Sequence, residues 1–138
     1  MSDAAAKVRI LNVEDYPPTR YTRSKILREA GYEVIEAANG EDALALLAAA
    51  RPYLVVLDMH LPDFSGSEVC RRIKSDPATA LVQVLHVSAS HRGADAYANA
   101  LDMGADGYLM EPVEPRVLVA TVRALVRARR AEEAVQKM

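Results

Sequence analysis

The chain has 138 residues, 51% hydrophobic and 26% charged, which is the size and composition of one folded domain and argues against intrinsic disorder. Its formal charge of −2 is the balance of an acidic body, 11 basic against 17 acidic residues through position 115, and a basic end, 6 against 2 from position 116. No run approaches about 18 consecutive apolar residues, the N-terminal stretch lacks the apolar core of a secretory signal, and the single Cys70 makes neither an internal disulfide nor a cysteine zinc site; the expectation is a cytoplasmic chain with no membrane contact and no nucleic-acid contact by its acidic body.

Five apolar runs alternate with amphipathic stretches. Residues 8–13 (VRILNV) read as a strand that ends in acids. Residues 19–30 (TRYTRSKILREA) read as a helix with Tyr21, Ile26, Leu27 and Ala30 as its apolar positions, started by Pro17-Pro18 and capped by Gly31. Residues 32–37 alternate as a strand, Asn39-Gly40 turns the chain, and 41–50 (EDALALLAAA) form a helix stopped at Arg51-Pro52.

Residues 53–57 (YLVVL) are continuously apolar, as a central parallel strand covered on both faces must be. Residues 67–74 (SEVCRRIK) place Val69, Cys70 and Ile73 on one helical stripe, which makes Cys70 a small buried hydrophobe. A strand at 82–87, an alanine-rich helix at 94–103 ended by Gly104, and a short strand at 107–110 follow. From Pro115 a helix runs to about Arg130 or to the end, with Leu118, Val122 and Leu125 on one face fading into Arg129. The expected division is a domain over 1–128 and a basic helical extension over 129–138 that serves as a linker.

Strand followed by helix, five times, predicts an α/β fold: right-handed crossovers fold it into one five-stranded parallel sheet, flavodoxin-like, in three αβα layers. Ligands of such open sheets bind at the carboxyl ends of the strands. Those ends carry Glu14-Asp15 after the first run, Asp58 after the third, Ser88 after the fourth and Glu111-Pro112 after the fifth. Carboxylates gathered from neighbouring strands repel unless a cation or a proton resolves them, and oxygen ligands without clustered His or Cys suit Mg²⁺. A carboxylate beside such an ion is a competent phosphoryl acceptor. His60, His86 and His91 share no metal-ligand spacing.

In order, ILNVED, LVVLDMHLPDFSG, VLHVSAS and GADGYLMEPV, with spacings of 43, 30 and 23 residues between Asp15, Asp58, Ser88 and Glu111, closely resemble the receiver domain of bacterial two-component response regulators, of the kind fused to other signalling modules. The resemblance spans about residues 7–128. It implies that Asp58 is the phosphoacceptor, charged by a histidine kinase or phosphotransfer protein. Asp15, Asp58 and the backbone carbonyl of His60 would ligate Mg²⁺, with Glu14 acting through water. Ser88 would bond a phosphoryl oxygen, Tyr108 would be the aromatic switch, and small Ala89 would leave the backbone open to the phosphate. The domain itself is then not an enzyme beyond slow loss of its own phosphoryl group, its parent chain could be a hybrid histidine kinase, and a homodimer through the fourth and fifth helices or the C-terminal helix is an option.

One position departs from the family. Glu111 stands where the resemblance implies lysine, and a carboxylate about 4 Å from another costs roughly 1 to 4 kcal/mol at surface-like dielectric. Glu111 is expected to turn outward, take a proton or help a second cation, and to slow phosphoryl transfer. The competing reading is a docking or dimerisation module that works without phosphorylation. An aspartyl-phosphate phosphatase ranks low, since its second acid would stand at His60, and a flavodoxin lacks its hydroxyl-rich phosphate cradle here.

Overall fold

The computed structural model describes residues 7–88 and 94–136, with 94–97 as backbone alone; Ala89 and His91 lie outside these residues. Five strands, β1 (Arg9–Val13), β2 (Glu33–Ala37), β3 (Leu54–Asp58), β4 (Gln83–Ser88) and β5 (Gly107–Met110), alternate with α1 (Pro17–Glu29), α2 (Gly40–Ala50), α3 (Gly66–Ser75), α4 (Ala94–Asp102) and α5 (Pro115–Gln136). The sheet order is β2-β1-β3-β4-β5, every pairing parallel, so the order reverses beside β1 and opens a crevice between β1 and β3. The expected five-stranded α/β architecture is the observed one.

The two-residue period of the strands sorts side chains between two cores. Leu11, Val13, Val55, Leu57 and Val84 face α2, α3 and α4 with Leu47, Val69, Cys70, Ile73 and Ala100. Ile10, Leu54, Val56, Leu85 and Val87 face α1 and α5 with Leu27, Leu118, Val122 and Val126. β3 is buried along its whole length, and each such Val or Leu contributes about 1.5–3 kcal/mol by leaving water. Among the described residues no helix is long and apolar enough to cross a membrane.

Helix ends follow local chemistry. Both prolines enter the first turn of α1, and α1 closes with Gly31 at φ +102°, its N–H bonded to Arg28 O at 3.0 Å and Tyr32 N–H to Leu27 O at 3.2 Å. Asn39 and Ser65 cap α2 and α3 by accepting the Asp42 and Glu68 amides. α2 ends on Arg51 in the left-handed region, φ 48°, directly before Pro52.

Two helical faces differ from the expected ones. α1 buries Arg23, Ser24 and Leu27, while Tyr21 is 65% exposed. The cause is a polar pair across β1 and β2: Asn12 Nδ2 bonds Ser24 Oγ at 3.0 Å, and Ser24 Oγ donates to Glu36 at 2.5 Å, which turns the polar side of α1 inward. In α5 the buried stripe is Leu118, Val122 and Val126, with Leu125 partly buried beside it. The same helix continues unbroken through position 128. Arg129 lies over the Tyr53 ring at 4.0 Å and bonds Tyr53 O at 2.8 Å, and Glu133 accepts the Tyr53 hydroxyl at 2.6 Å.

His86 sits on β4 with no exposure, and burial pushes its imidazole down to about 4. Unfolding returns the ring to about 6.5, so the unfolded chain holds the extra proton between those values and stability is lost as pH falls through that window. Urea unfolding of wild type and His86→Leu from pH 7.5 to 4.5 is expected to show a shallower acid decline in the variant.

Candidate functional site

β1 delivers Glu14 and Asp15 to the carboxyl edge, and β3 delivers Asp58 as its last residue. Glu14 N–H continues the sheet by bonding Ala37 O at 3.0 Å, which holds its carboxylate inward at 5% exposure. Both Glu14 oxygens are occupied: Oε2 accepts the Tyr16 amide and Oε1 accepts Arg23 Nη1, each at 3.0 Å. Ligand oxygens of Glu14, Asp15 and Asp58 all lie within 4.8 Å of one another, with Asp15 exposed and Asp58 nearly buried at 9%.

The crowding shows in the acid strengths. Burial pushes Asp58 up to about 6, with Asp15 and Glu111 adding repulsion against the opposing pull of Arg23 and of the His60 amide. Burial likewise holds Glu14 at about 6, opposed by the Tyr16 amide and Arg23 and reinforced by Asp58. A hard divalent cation answers this donor set better than protons at neutral pH, because it needs few protein oxygens and tolerates waters. Glu14, Asp15 and Asp58 each offer one oxygen to such an ion, Glu14 while also accepting the Tyr16 amide and Arg23.

The loop after β3 is built to hold Asp58. His60 and Ser65 pair across it, and Gly66 N–H bonds Met59 O at 2.9 Å. A Cβ on Gly66 would sit 2.5 Å from Asp58 O and 2.8 Å from Met59 Cα, so only glycine lets α3 start this close to the acid. Asp63 then ties the loop to α2: its two oxygens accept the Gly40 and Glu41 amides, both at 2.8 Å. Although some desolvation raises it, those amides and that of Phe64 hold the Asp63 carboxyl below the usual range.

From the other side of Asp58, β4 ends in Ser88, 1% exposed, whose carbonyl accepts the Glu111 amide at 2.8 Å. Tyr108 pairs with His86 across the β4–β5 ladder, half-buried against the core under α2–α4. Ser88 and Tyr108 thus share the α2–α4 face by strand alternation. Glu111, one residue past β5, continues the Leu109 phase toward α1, where Arg23 Nη2 bonds its Oε2. It neither turns outward nor stands alone: Arg23, 6% exposed, bridges Glu111 and Glu14. Sequence reasoning missed Arg23 and Asp63. The available signal for Arg23 was its phase, four residues before the buried Leu27, where a helix faces its core.

A doubly wound five-stranded domain with an acidic cluster, a buried serine and a β5 loop at one edge is the architecture of a receiver. The family model for the response regulator receiver domain matches residues 10–123. The chain is 38% identical over 118 residues to the phosphate regulon transcriptional regulatory protein PhoB of Pseudomonas aeruginosa, covering 86% of this chain and 51% of that one. It is 38% identical over 133 residues to the response regulator MprA of Mycobacterium tuberculosis, covering 95% and 56%. Among solved structures it is similar to a CheY-like response regulator receiver domain protein from Methanospirillum hungatei (TM-score 0.84, 28% identity, 91% of this chain and 98% of that one). The signal receiver domain of a signal transduction histidine kinase from Syntrophus aciditrophicus is also similar (TM-score 0.81, 30% identity, 88% and 91%). The chain belongs to the response regulator receiver domain family, the receivers of two-component systems, and it spans about half the length of the curated relatives it matches.

Two measurements probe this geometry. A divalent cation held by this cluster would need Glu14 and Asp58 deprotonated, and both are pushed up to about 6, so Mg²⁺ affinity by calorimetry is expected to rise about tenfold from pH 5.5 to 7.5. Gly66→Ala is expected to weaken Mg²⁺ binding and lower the melting temperature by about 4–8 °C, the shift produced by roughly 1–2 kcal/mol in a domain of this size.

Proposed function

We propose that Asp58 accepts a phosphoryl group from a histidine kinase or phosphotransfer protein and that this switches the contacts the domain makes. A carboxylate oxygen of Asp58 attacks phosphorus in line, the phosphorus–nitrogen bond of a phosphohistidine breaks, and the departing imidazole keeps its electron pair and takes a proton. Mg²⁺, bound by Asp15 and Asp58 with the His60 carbonyl as third protein ligand and Glu14 through water, would neutralise charge on the transferring oxygens. Ser88 then bonds a phosphoryl oxygen and Tyr108 follows it inward. The modification biases an equilibrium between two arrangements of the α4–β5–α5 face, the surface open to a second copy or an output partner.

The observation that carries this reading is the cluster of Glu14, Asp15 and Asp58 within 4.8 Å at the reversal of strand order. We further read α5 as the route to another module in a cytoplasmic signalling chain, since the relatives are about twice as long. Whether such a module touches DNA, as a transcriptional regulator's would, or carries kinase activity belongs to that part of the chain. A docking module that ignores phosphorylation remains the competing reading, and it rests on Glu111 alone.

Acetyl phosphate with Mg²⁺ is expected to place one phosphoryl group on the wild-type chain, with none on Asp58→Asn or in the presence of a chelator. Label that survives Asp58→Asn refutes the acceptor assignment, and an unlabelled wild type supports the docking module. Since Asp58 is an anion held among anions, Asp58→Asn is also expected to raise the melting temperature at pH 7.5 by about 3–6 °C, on the order of 1 kcal/mol.

A further inference from the structure

The cation of this pocket comes from an unexpected element. Glu14, Asp15, Asp58 and Glu111 are four carboxylates, and Arg23 is the guanidinium joined to them, which leaves the group a formal charge of −3. Arg23 makes a fork: Nη1 to Glu14 at 3.0 Å and Nη2 to Glu111, at 7% side-chain exposure. A buried guanidinium in this position is costly unless both arms are satisfied, and here each has its own carboxylate. The pair also lines a cavity of about 300 Å³ with Pro18, Thr22, Ile26, Val113 and Leu118, where Arg23 is the one basic residue among the described residues. Among the described residues, Arg23 is the cation paired with Glu111.

We propose that Arg23 is the positioning residue of the phosphoacceptor pocket: by bridging Glu14 and Glu111 it cancels the charge of Glu111 and sets the balance between cation and phosphoryl binding at Asp58. The claim rests on the acceptor reading for its phosphoryl half only. Arg23 touches neither the acceptor nor the transferring group; it acts through the two glutamates.

The pair makes a charge prediction that simple misfolding does not imitate. Arg23→Gln takes the group to −4, Glu111→Gln takes it to −2, and the double variant returns it to −3, the value of the wild type. Mg²⁺ titration calorimetry is expected to find binding about three- to tenfold tighter in Arg23→Gln, weaker by a similar factor in Glu111→Gln, and within about twofold of wild type in the double variant. Labelling by acetyl phosphate at saturating Mg²⁺ is expected to run in the opposite order, slowest in Arg23→Gln, fastest in Glu111→Gln, and near wild type in the double variant. Arg23→Lys, which keeps the charge without the fork, is expected to fall between Arg23→Gln and wild type in both measurements.

Loss of both activities in Arg23→Gln without recovery in the double variant makes Arg23 a packing residue and overturns the proposal. So does Mg²⁺ affinity unchanged in Glu111→Gln, a variant of a partly exposed side chain that tests the claim even if Arg23→Gln does not fold. A wild type that takes no label refutes the acceptor reading alone, because the order of the four Mg²⁺ affinities still decides the role of Arg23.

Discussion

Like charge held at one edge of the sheet is the constraint around which this domain is arranged. A parallel sheet points all its strands the same way, so whatever follows each strand collects on one rim. Here the rim collects Glu14, Asp15 and Asp58, and burial raises two of them toward neutrality. Such a group persists in a folded protein only if other interactions offset its repulsion. The continuous burial of β3 and the two cores on either side of it supply that support.

The supports are local as well as global. Glu14 is held by an amide of its own turn and by Arg23, and Asp58 by the amide two residues on. Asp63 anchors the loop after β3 to the N-terminus of α2, where unpaired helix amides favour an anion. The close start of α3 at Gly66 then leaves Asp58 little freedom. The two acids differ in their partners: the amides of Gly40, Glu41 and Phe64 hold Asp63 below the usual carboxylate range, whereas burial and neighbouring carboxylates push Asp58 up to about 6.

The basic end of the chain acquires a different meaning in three dimensions. Arg129 is half-sunk onto Tyr53 and the carbonyl ahead of β3, and Glu133 holds the Tyr53 hydroxyl. Burial and Glu133 push that phenol up to about 12. The last turns of α5 are therefore attached to the body by contacts at the opposite end of the sheet from the acidic rim.

Much of this was legible in the chain itself. Local pattern decides strand and helix because a two-residue or 3.6-residue period must meet a core, and strand-end acids fall on one rim in any parallel α/β sheet. The order of Glu14-Asp15, Asp58, Ser88 and Tyr108 was enough to identify the family and to place the acids together. What only the tertiary structure decided is which faces met. Tyr21 has the hydrophobicity of a core residue and lies in water, while Arg23, two positions on, is buried, because Asn12 and Glu36 on the sheet draw the polar side of α1 inward. Glu111 reads in sequence as an uncompensated acid. Its counterion lies 88 residues away, and a pairing across that separation is a property of the packed α1 and β5, not of any segment of the chain.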